Sequence, residues 1–186
     1  FDFLDPNYPV PQHICEYTHD LIQKNALTFD KTENDHMTLT YHDSCNVARA
    51  SRMGDVPGGQ FTIPRDIIKA TCNNFYDMPE HAIKEGTYCC GGGGGLLTDD
   101  LIELRVKGAL PRMEALKHVT ENNGVTHMAA TCAICKSQFS KVFPYYDFTM
   151  DQIVSVHQLV SNAIVLTQAD EGDSDEDKQS DDAEAA

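Results

Sequence analysis

Apolar residues change their spacing several times along this chain, and each change predicts an element. Ile14, Tyr17, Leu21 and Ile22 recur at helical spacing, predicting a helix over His13–Leu27 that contains Cys15. After a polar loop at Phe29–Asp35, the Thr-rich alternation of Met37–His42 predicts a strand that leads to Cys45. Asn46–Met53 reads as a short helical turn, and Gly54–Gln60, with Pro57-Gly58-Gly59, as a loop. Pro64 suits the first position of a helix over Arg65–Thr71, where a missing amide proton costs nothing. Asn74–Met78 and Glu85–Tyr88 read as short strands, the second running into Cys89-Cys90. Thr98 reads as an N-cap with Asp99 and Asp100 at the positive end of the helix dipole. Ile102, Val106, Ala109, Met113 and Leu116 then hold one helical face, which Pro111 is expected to kink or break and Gly124 to end. Val125–Ala130 predicts a strand arriving at Cys132, Ile134–Val142 a helix, and Ile153–Leu166 a strongly amphipathic helix.

Three predicted strands thus each run into cysteine. Strands alternating with helices imply an α/β fold with a parallel sheet. Ligand sites in such sheets gather outside the carboxyl ends of the strands. Cys45, Cys89, Cys90, Cys132 and Cys135 would then meet at one edge. The organisation that follows is a proline-rich lead-in and helix (1–36), a cysteine-rich domain (37–168) and a tail (169–186) expected to be disordered.

Charge sharpens the picture. The chain has 186 residues and a formal net charge of −15, but residues 169–186 hold nine acids against Lys178 alone. Such a segment is too charged and too poor in apolar residues to fold. From Cys45 to Lys141 there are eleven Lys/Arg and ten Asp/Glu, so the cysteine-rich part is nearly neutral. It lacks the dense cationic face that displaces counterions from nucleic acid, and nucleic acid is excluded as a partner. Apolar runs fall far short of the roughly 20 residues of a bilayer span. Seven cysteines make an odd number for a disulfide framework, and no secretory segment is seen, so a cytoplasmic location with free thiols is expected. The first residue is Phe1, and the chain reads as part of something longer.

The cysteines carry the chemistry. A C-x-x-C turn, Cys132 to Cys135, lets two sulfurs reach one centre, whereas adjacent cysteines diverge and suit separate irons of a cluster. Five thiolates exceed a tetrahedral zinc site, and the common ferredoxin spacing is absent. Gly91–Gly95 brings backbone close to a bulky inorganic core with no Cβ in the way, and its amides can donate to sulfur. A phosphate loop is a poor match, because no G-K-[ST] follows and Leu96 stands where G-x-G-x-x-G needs its last glycine. The competing reading is structural zinc with bystander thiols.

Cys45, then Cys89-Cys90-Gly91, then Cys132-x-x-Cys135 resembles the CCG motif of the heterodisulfide reductase B/D family. The intervals of 43 and 41 residues are longer than is usual there and imply larger loops. His42–Asn46, Gly58–Phe61, Cys89–Leu97, Arg105–Met113 and His157–Asn162 look more closely like its DsrK branch, the catalytic subunits of the DsrMKJOP membrane complex. The likeness covers roughly residues 37–166. It implies a noncubane [4Fe–4S] cluster on Cys45, Cys89, Cys90, Cys132 and Cys135, with Gly91, Gly92 and Gly93 as the cluster loop. It also implies electron exchange with the disulfide or trisulfide of a small sulfur carrier protein, DsrC. Peripheral membrane association through the electron-transfer subunits of that complex follows from the same likeness. The ferredoxin-type cysteine runs carried upstream by the family are missing here. The alternative is a quinone-linked, hydroxy-acid-linked or purely electron-transferring CCG module.

Outside the five, Cys15 and Cys72 read as small buried hydrophobes. Arg49 and Arg52 are candidates to meet an acidic partner or anionic sulfur, against the bland reading of solvated charges. His42 is weighed between a proton-transfer role and a structural one.

Overall fold

The computed structural model describes residue 7 and residues 11–166. The acidic tail, and most of the proline-rich lead-in, lie outside these residues. The architecture is α/β with a three-stranded parallel sheet, as the alternation of elements predicts. Strand β1 (Leu39–His42) pairs with β2 (His127–Ala130), and β2 with β3 (Ile153–Ser155), in the order β1-β2-β3. His42 stands opposite Ala130, and Ala130 opposite Ser155.

Helices cover both faces, as a parallel sheet requires. Side chains alternate across the pleat. Leu39, Tyr41, Ala129 and Val154 therefore enter one core, packed by α1 (Ile14–Gln23), α3 (Gly59–Thr71) and α6 (Val156–Ala163). Met128 enters the other, against Met113, Leu116, Phe139 and Phe143 from α4 (Ile102–Asn123), α5 (Ala133–Val142) and the 3-10 turn that follows α5. Helix α1 opens on a capping box. The His13 imidazole accepts from the Cys15 amide at 3.1 Å, and the His13 amide donates to Glu16 at 2.7 Å.

Several expectations are corrected. No strand forms at Glu85–Tyr88; Lys84–Gly86 is a 3-10 turn, with Lys84 at φ +54°. Its backbone finds side-chain partners instead of a ladder, since Lys84 N–H donates to the Asp43 carboxylate at 2.9 Å. Asn74–Met78 contributes only an isolated parallel bridge, Phe75 to Leu39, beside β1. Ile153–Leu166 is not one helix. The β-branched pair Ile153-Val154 joins the sheet edge and α6 begins only at Val156. Helix α1 ends at Gln23, ahead of Asn25 in the left-handed region. Helix α3 starts at Gly59, so Pro64 lies inside it rather than at its start. Pro111 does not end α4, which runs 22 residues to the left-handed cap Gly124. Lys107, whose carbonyl loses its partner to the proline, and Pro111 are both on the exposed side of the helix.

Candidate metal centre

Strand ends and helix starts place three of the five cysteines. Cys45 is the first residue of α2 (Cys45–Ala50), directly beyond β1. Cys132 is the N-cap of α5 and Cys135 lies in its first turn, directly beyond β2. Because β1 and β2 are parallel neighbours in register, both segments leave the same carboxyl edge.

Cys89-Cys90 comes to that edge by a different route. With no strand behind them, they are held by a buried polar scaffold. Thr87 Oγ1 donates to the Asp43 carbonyl at 2.6 Å, and Arg112 Nη2 donates to Thr87 Oγ1 at 2.6 Å and to the Ala82 carbonyl at 2.7 Å. Arg49 Nε donates to the Glu85 carbonyl at 3.0 Å and its Nη2 to the Thr87 carbonyl. The Asp43 carboxylate is held in turn by Arg65, at 2.8 and 2.7 Å. The turn between β1 and Cys45 is thus tied to the segment carrying Cys89.

Past the cysteines, Gly91 presses on α4. A Cβ there would sit 2.2 Å from the Arg105 carbonyl oxygen and 3.1 Å from Ala109 Cβ, at φ +89°. This glycine serves the contact between loop and helix. At Gly92 a Cβ would stand 3.2 Å from Cys90 Sγ, whereas at Gly94 and Gly95 it would meet open space.

The sulfurs interact. Gly91 N–H donates to Cys89 Sγ at 3.3 Å and Gly92 N–H to Cys90 Sγ at 3.4 Å. The Gly93 amide also reaches Cys89. Cys89 interacts with Cys90, and Cys90 with Cys135. Sharing with Cys90, then burial, pushes the Cys89 thiol up; sharing with Cys135 is the first cause that pushes Cys90 up to about 12. Three thiols from two distant segments, with their protons, therefore lie beside one another. A bound cation displaces such protons, because the ligand form of cysteine is the thiolate. Cys90 and Cys135 are buried, while Cys45, Cys89 and Cys132 are half-buried, so the centre has a closed back and an open front.

Among the described residues no three His, Cys, Asp or Glu side chains surround a single-ion position. A multi-iron core spreads its ligands over several irons and does not need one. Among the described residues, the buried polar side-chain atoms without a protein partner are Thr40 Oγ1, both ring nitrogens of His42, Ser44 Oγ, Arg112 Nε, Thr120 Oγ1 and Gln138 Nε2. His42 and Ser44 stand just before Cys45, and Gln138 lies on the helix of Cys135. Orphan donors of this kind, with five thiols, fit an anionic iron–sulfur group.

The other predicted residues separate. His42 is fully buried, edge-on to Phe139 at 4.9 Å, and burial, then Arg112, hold it neutral well below the ordinary imidazole range. No external partner touches it there. Arg49 is engaged with backbone carbonyls. Arg52 is exposed and lines an open cleft of about 750 Å³ with Val56, Gln60 and Lys84, which no cysteine lines. Cys15 and Cys72 belong to the opposite core, with Cys15 pushed up to about 12 chiefly by burial. Asp43, Thr87, Arg105 and Arg112 were not singled out by sequence reasoning. The two arginines carried a signal, since Arg105, Ala109, Arg112 and Leu116 share one helical stripe.

Comparison with known proteins covers the segment that holds these cysteines. The cysteine-rich (CCG) domain family matches residues 39–140. The chain is 42% identical over 169 residues to the Hdr-like menaquinol oxidoreductase iron-sulfur subunit 2 of Archaeoglobus fulgidus, covering 91% of this chain and 29% of that protein. It is 43% identical over 155 residues to the Hdr-like menaquinol oxidoreductase iron-sulfur subunit of Archaeoglobus profundus, covering 83% and 26%. It is also 30% identical over 131 residues to a dihydromethanophenazine:CoB–CoM heterodisulfide reductase subunit of Methanosarcina acetivorans, covering 67% and 27%. The chain thus spans under a third of the length of these relatives. No solved structure matches it. No helix among the described residues is long and apolar enough to cross a membrane.

Proposed function

Because the chain belongs to the cysteine-rich CCG domain family, we propose that it is the cluster-bearing part of an Hdr-like oxidoreductase subunit. Its ligands are Cys45, Cys89, Cys90, Cys132 and Cys135, and its group is a noncubane [4Fe–4S] cluster. The observation that carries this reading is the juxtaposition of Cys89, Cys90 and Cys135, from segments 45 residues apart, near the edge where Cys45 and Cys132 also emerge. When bound, such a cluster supplies single electrons beside an iron that an incoming sulfur can approach.

The chain's own residues do the rest. Buried Cys90 and Cys135 anchor the back, away from water. Half-buried Cys45, Cys89 and Cys132 flank the open front, where a sulfur substrate has access. Amides of Gly91, Gly92 and Gly93 donate to the anchoring sulfurs and stabilise their charge. Cleaving each sulfur–sulfur bond takes two electrons and two protons, so a disulfide gives two thiols, and a trisulfide, with two such bonds, gives two thiols and hydrogen sulfide. His42 is too buried and too weakly basic to deliver those protons, so they come from solvent at the open front. The substrate is the disulfide or trisulfide of a small sulfur carrier, DsrC, and electrons pass to or from membrane subunits of a DsrMKJOP-type complex.

A second reading is favoured by the Archaeoglobus relatives, which are named menaquinol oxidoreductase subunits. On that reading the same centre relays electrons from a quinol. The test is anaerobic purification of the intact subunit, with iron and sulfide analysis and electron paramagnetic resonance. A brown protein whose signal changes on adding a carrier with a C-terminal trisulfide supports the first reading. A signal that responds to a quinol analogue and ignores the carrier supports the second. A colourless protein holding one zinc ion sinks both.

A further inference from the structure

Three arginines of this chain are buried, and their partners differ. Arg65 has two carboxylates, Asp43 at 2.7 Å and Asp77 at 2.9 Å. Arg105 has Asp99 at 3.7 Å and donates twice to Gln138 Oε1. Arg112 is fully buried, and among the described residues no carboxylate pairs with it. Its guanidinium meets only neutral groups: Met78 Sδ, the Ala82 carbonyl, Thr87 Oγ1 and, at 3.5 Å, the Tyr88 carbonyl. Its Nε has no protein partner at all.

An isolated charge out of water is costly, and buried charges are ordinarily paired. The imbalance leaves its mark on Arg112, which burial pushes down to about 10, so that it still carries its proton at neutral pH. What lies around it is the metal centre. Thr87 and Tyr88 directly precede Cys89, and the negative charges that favour the protonated guanidinium are first Asp43, whose two oxygens are already held by Arg65, and then Cys135. On the same stripe of α4, Ala109 packs on Gly91.

We propose that Arg112 is the built-in counter-charge of the centre, a buried cation balanced by the thiolates of Cys89, Cys90 and Cys135 that holds up the reduction potential of the group they bind. The inference rests on the iron–sulfur reading above. Each electron added makes the centre more negative. A fixed positive charge in a poorly screened interior favours the reduced form, and hydrogen bonding and net charge are recognised levers on cluster potential. Arg112 touches no substrate; it is a positioning residue that acts through charge. Arg65 does not fill this role, because Asp43 and Asp77 already offset it, and Arg105 is turned to Gln138 and the Thr98 carbonyl.

The experiment is a mediated redox titration of the anaerobic, cluster-loaded intact subunit, followed by visible bleaching and paramagnetic resonance. At the parent's midpoint, Arg112→Gln is expected to lower the ratio of reduced to oxidised centre at least tenfold, which for one electron is 59 mV. Arg112→Lys keeps the charge and is expected to stay within threefold of the parent. An unchanged ratio in Arg112→Gln with the cluster present overturns the inference, as does a lysine variant that falls as far as the glutamine one. Should Arg112→Gln not accumulate as folded protein, Met78→Glu repeats the test with the arginine in place. A carboxylate there cancels the guanidinium and is expected to lower the ratio tenfold against Met78→Gln, and equal ratios overturn the inference. A parent subunit without iron and sulfide refutes the cluster reading itself, a failure separate from an unmoved potential.

Discussion

Replacing Gly91 with alanine tests whether the cysteine loop is seated by its contact with α4. The residue sits at φ +89°, and an L side chain there costs about 1–2 kcal/mol. The new Cβ would also lie 2.2 Å from a helix carbonyl oxygen, which cannot swing aside as a side chain can. Loop and helix must part, and overpacking of this kind costs typically about 1–3 kcal/mol. The sum is on the order of 2–5 kcal/mol. Gly94 is the control, because its φ is +78° but a Cβ there meets nothing within 4 Å. Gly94→Ala should therefore show only the backbone strain, about 1–2 kcal/mol. Urea unfolding of the metal-free protein separates the two. With slopes of about 1–3 kcal/mol per molar, the Gly91 variant should unfold roughly 1 M earlier than the Gly94 variant. It should also retain less iron after reconstitution, since Cys89 and Cys90 move with the loop. Equal midpoints and equal iron content in the two variants would refute this account of the glycine run.

Asp43→Ala takes one of two carboxylates from the buried Arg65, leaving it Asp77, and frees the Lys84 amide, so a loss of about 1–3 kcal/mol is expected, read by the same denaturation curve. His42 carries a pH signature. Its folded imidazole binds protons far less readily than the unfolded one, so protonation favours unfolding. Metal-free protein should thus be stable at neutral pH and lose up to about 1.4 kcal/mol for each pH unit below about 6.5, and His42→Phe should flatten that slope. Cys15→Ser is expected to destabilise by about 1–3 kcal/mol through an unsatisfied buried hydroxyl while leaving iron content untouched. Cys135→Ser should instead lower the iron bound per chain, and the reverse pattern would place the centre elsewhere.

Local physical chemistry reached far in this chain. Adjacent Cys89 and Cys90, the Cys132-x-x-Cys135 turn and the glycine run announced soft-metal chemistry from residue type and spacing alone. Alternation at Met37–His42 and Val125–Ala130 placed two strands of the sheet, and helical periodicity placed α4 and α5. Failures fell where a tertiary contact overrode a local preference. Ile153-Val154 looked helical because its apolar residues continue the stripe of α6, yet a free edge of β2 recruits them as strand. Pro111 reads as a helix breaker, but it sits on the exposed side of α4, which continues through it. Glu85–Tyr88 looked extended because nothing local reveals that the Asp43 carboxylate, 41 residues earlier, captures the Lys84 amide.

By itself the sequence determined which atoms are suited to bind metal and which elements are long enough to carry them, because both depend on residue type and short-range period. The folded molecule alone shows how Cys89-Cys90 reaches the sheet edge and that Arg112, among the described residues, hydrogen-bonds no carboxylate. Both are sums over contacts between segments remote in the chain, and no local pattern encodes such a sum.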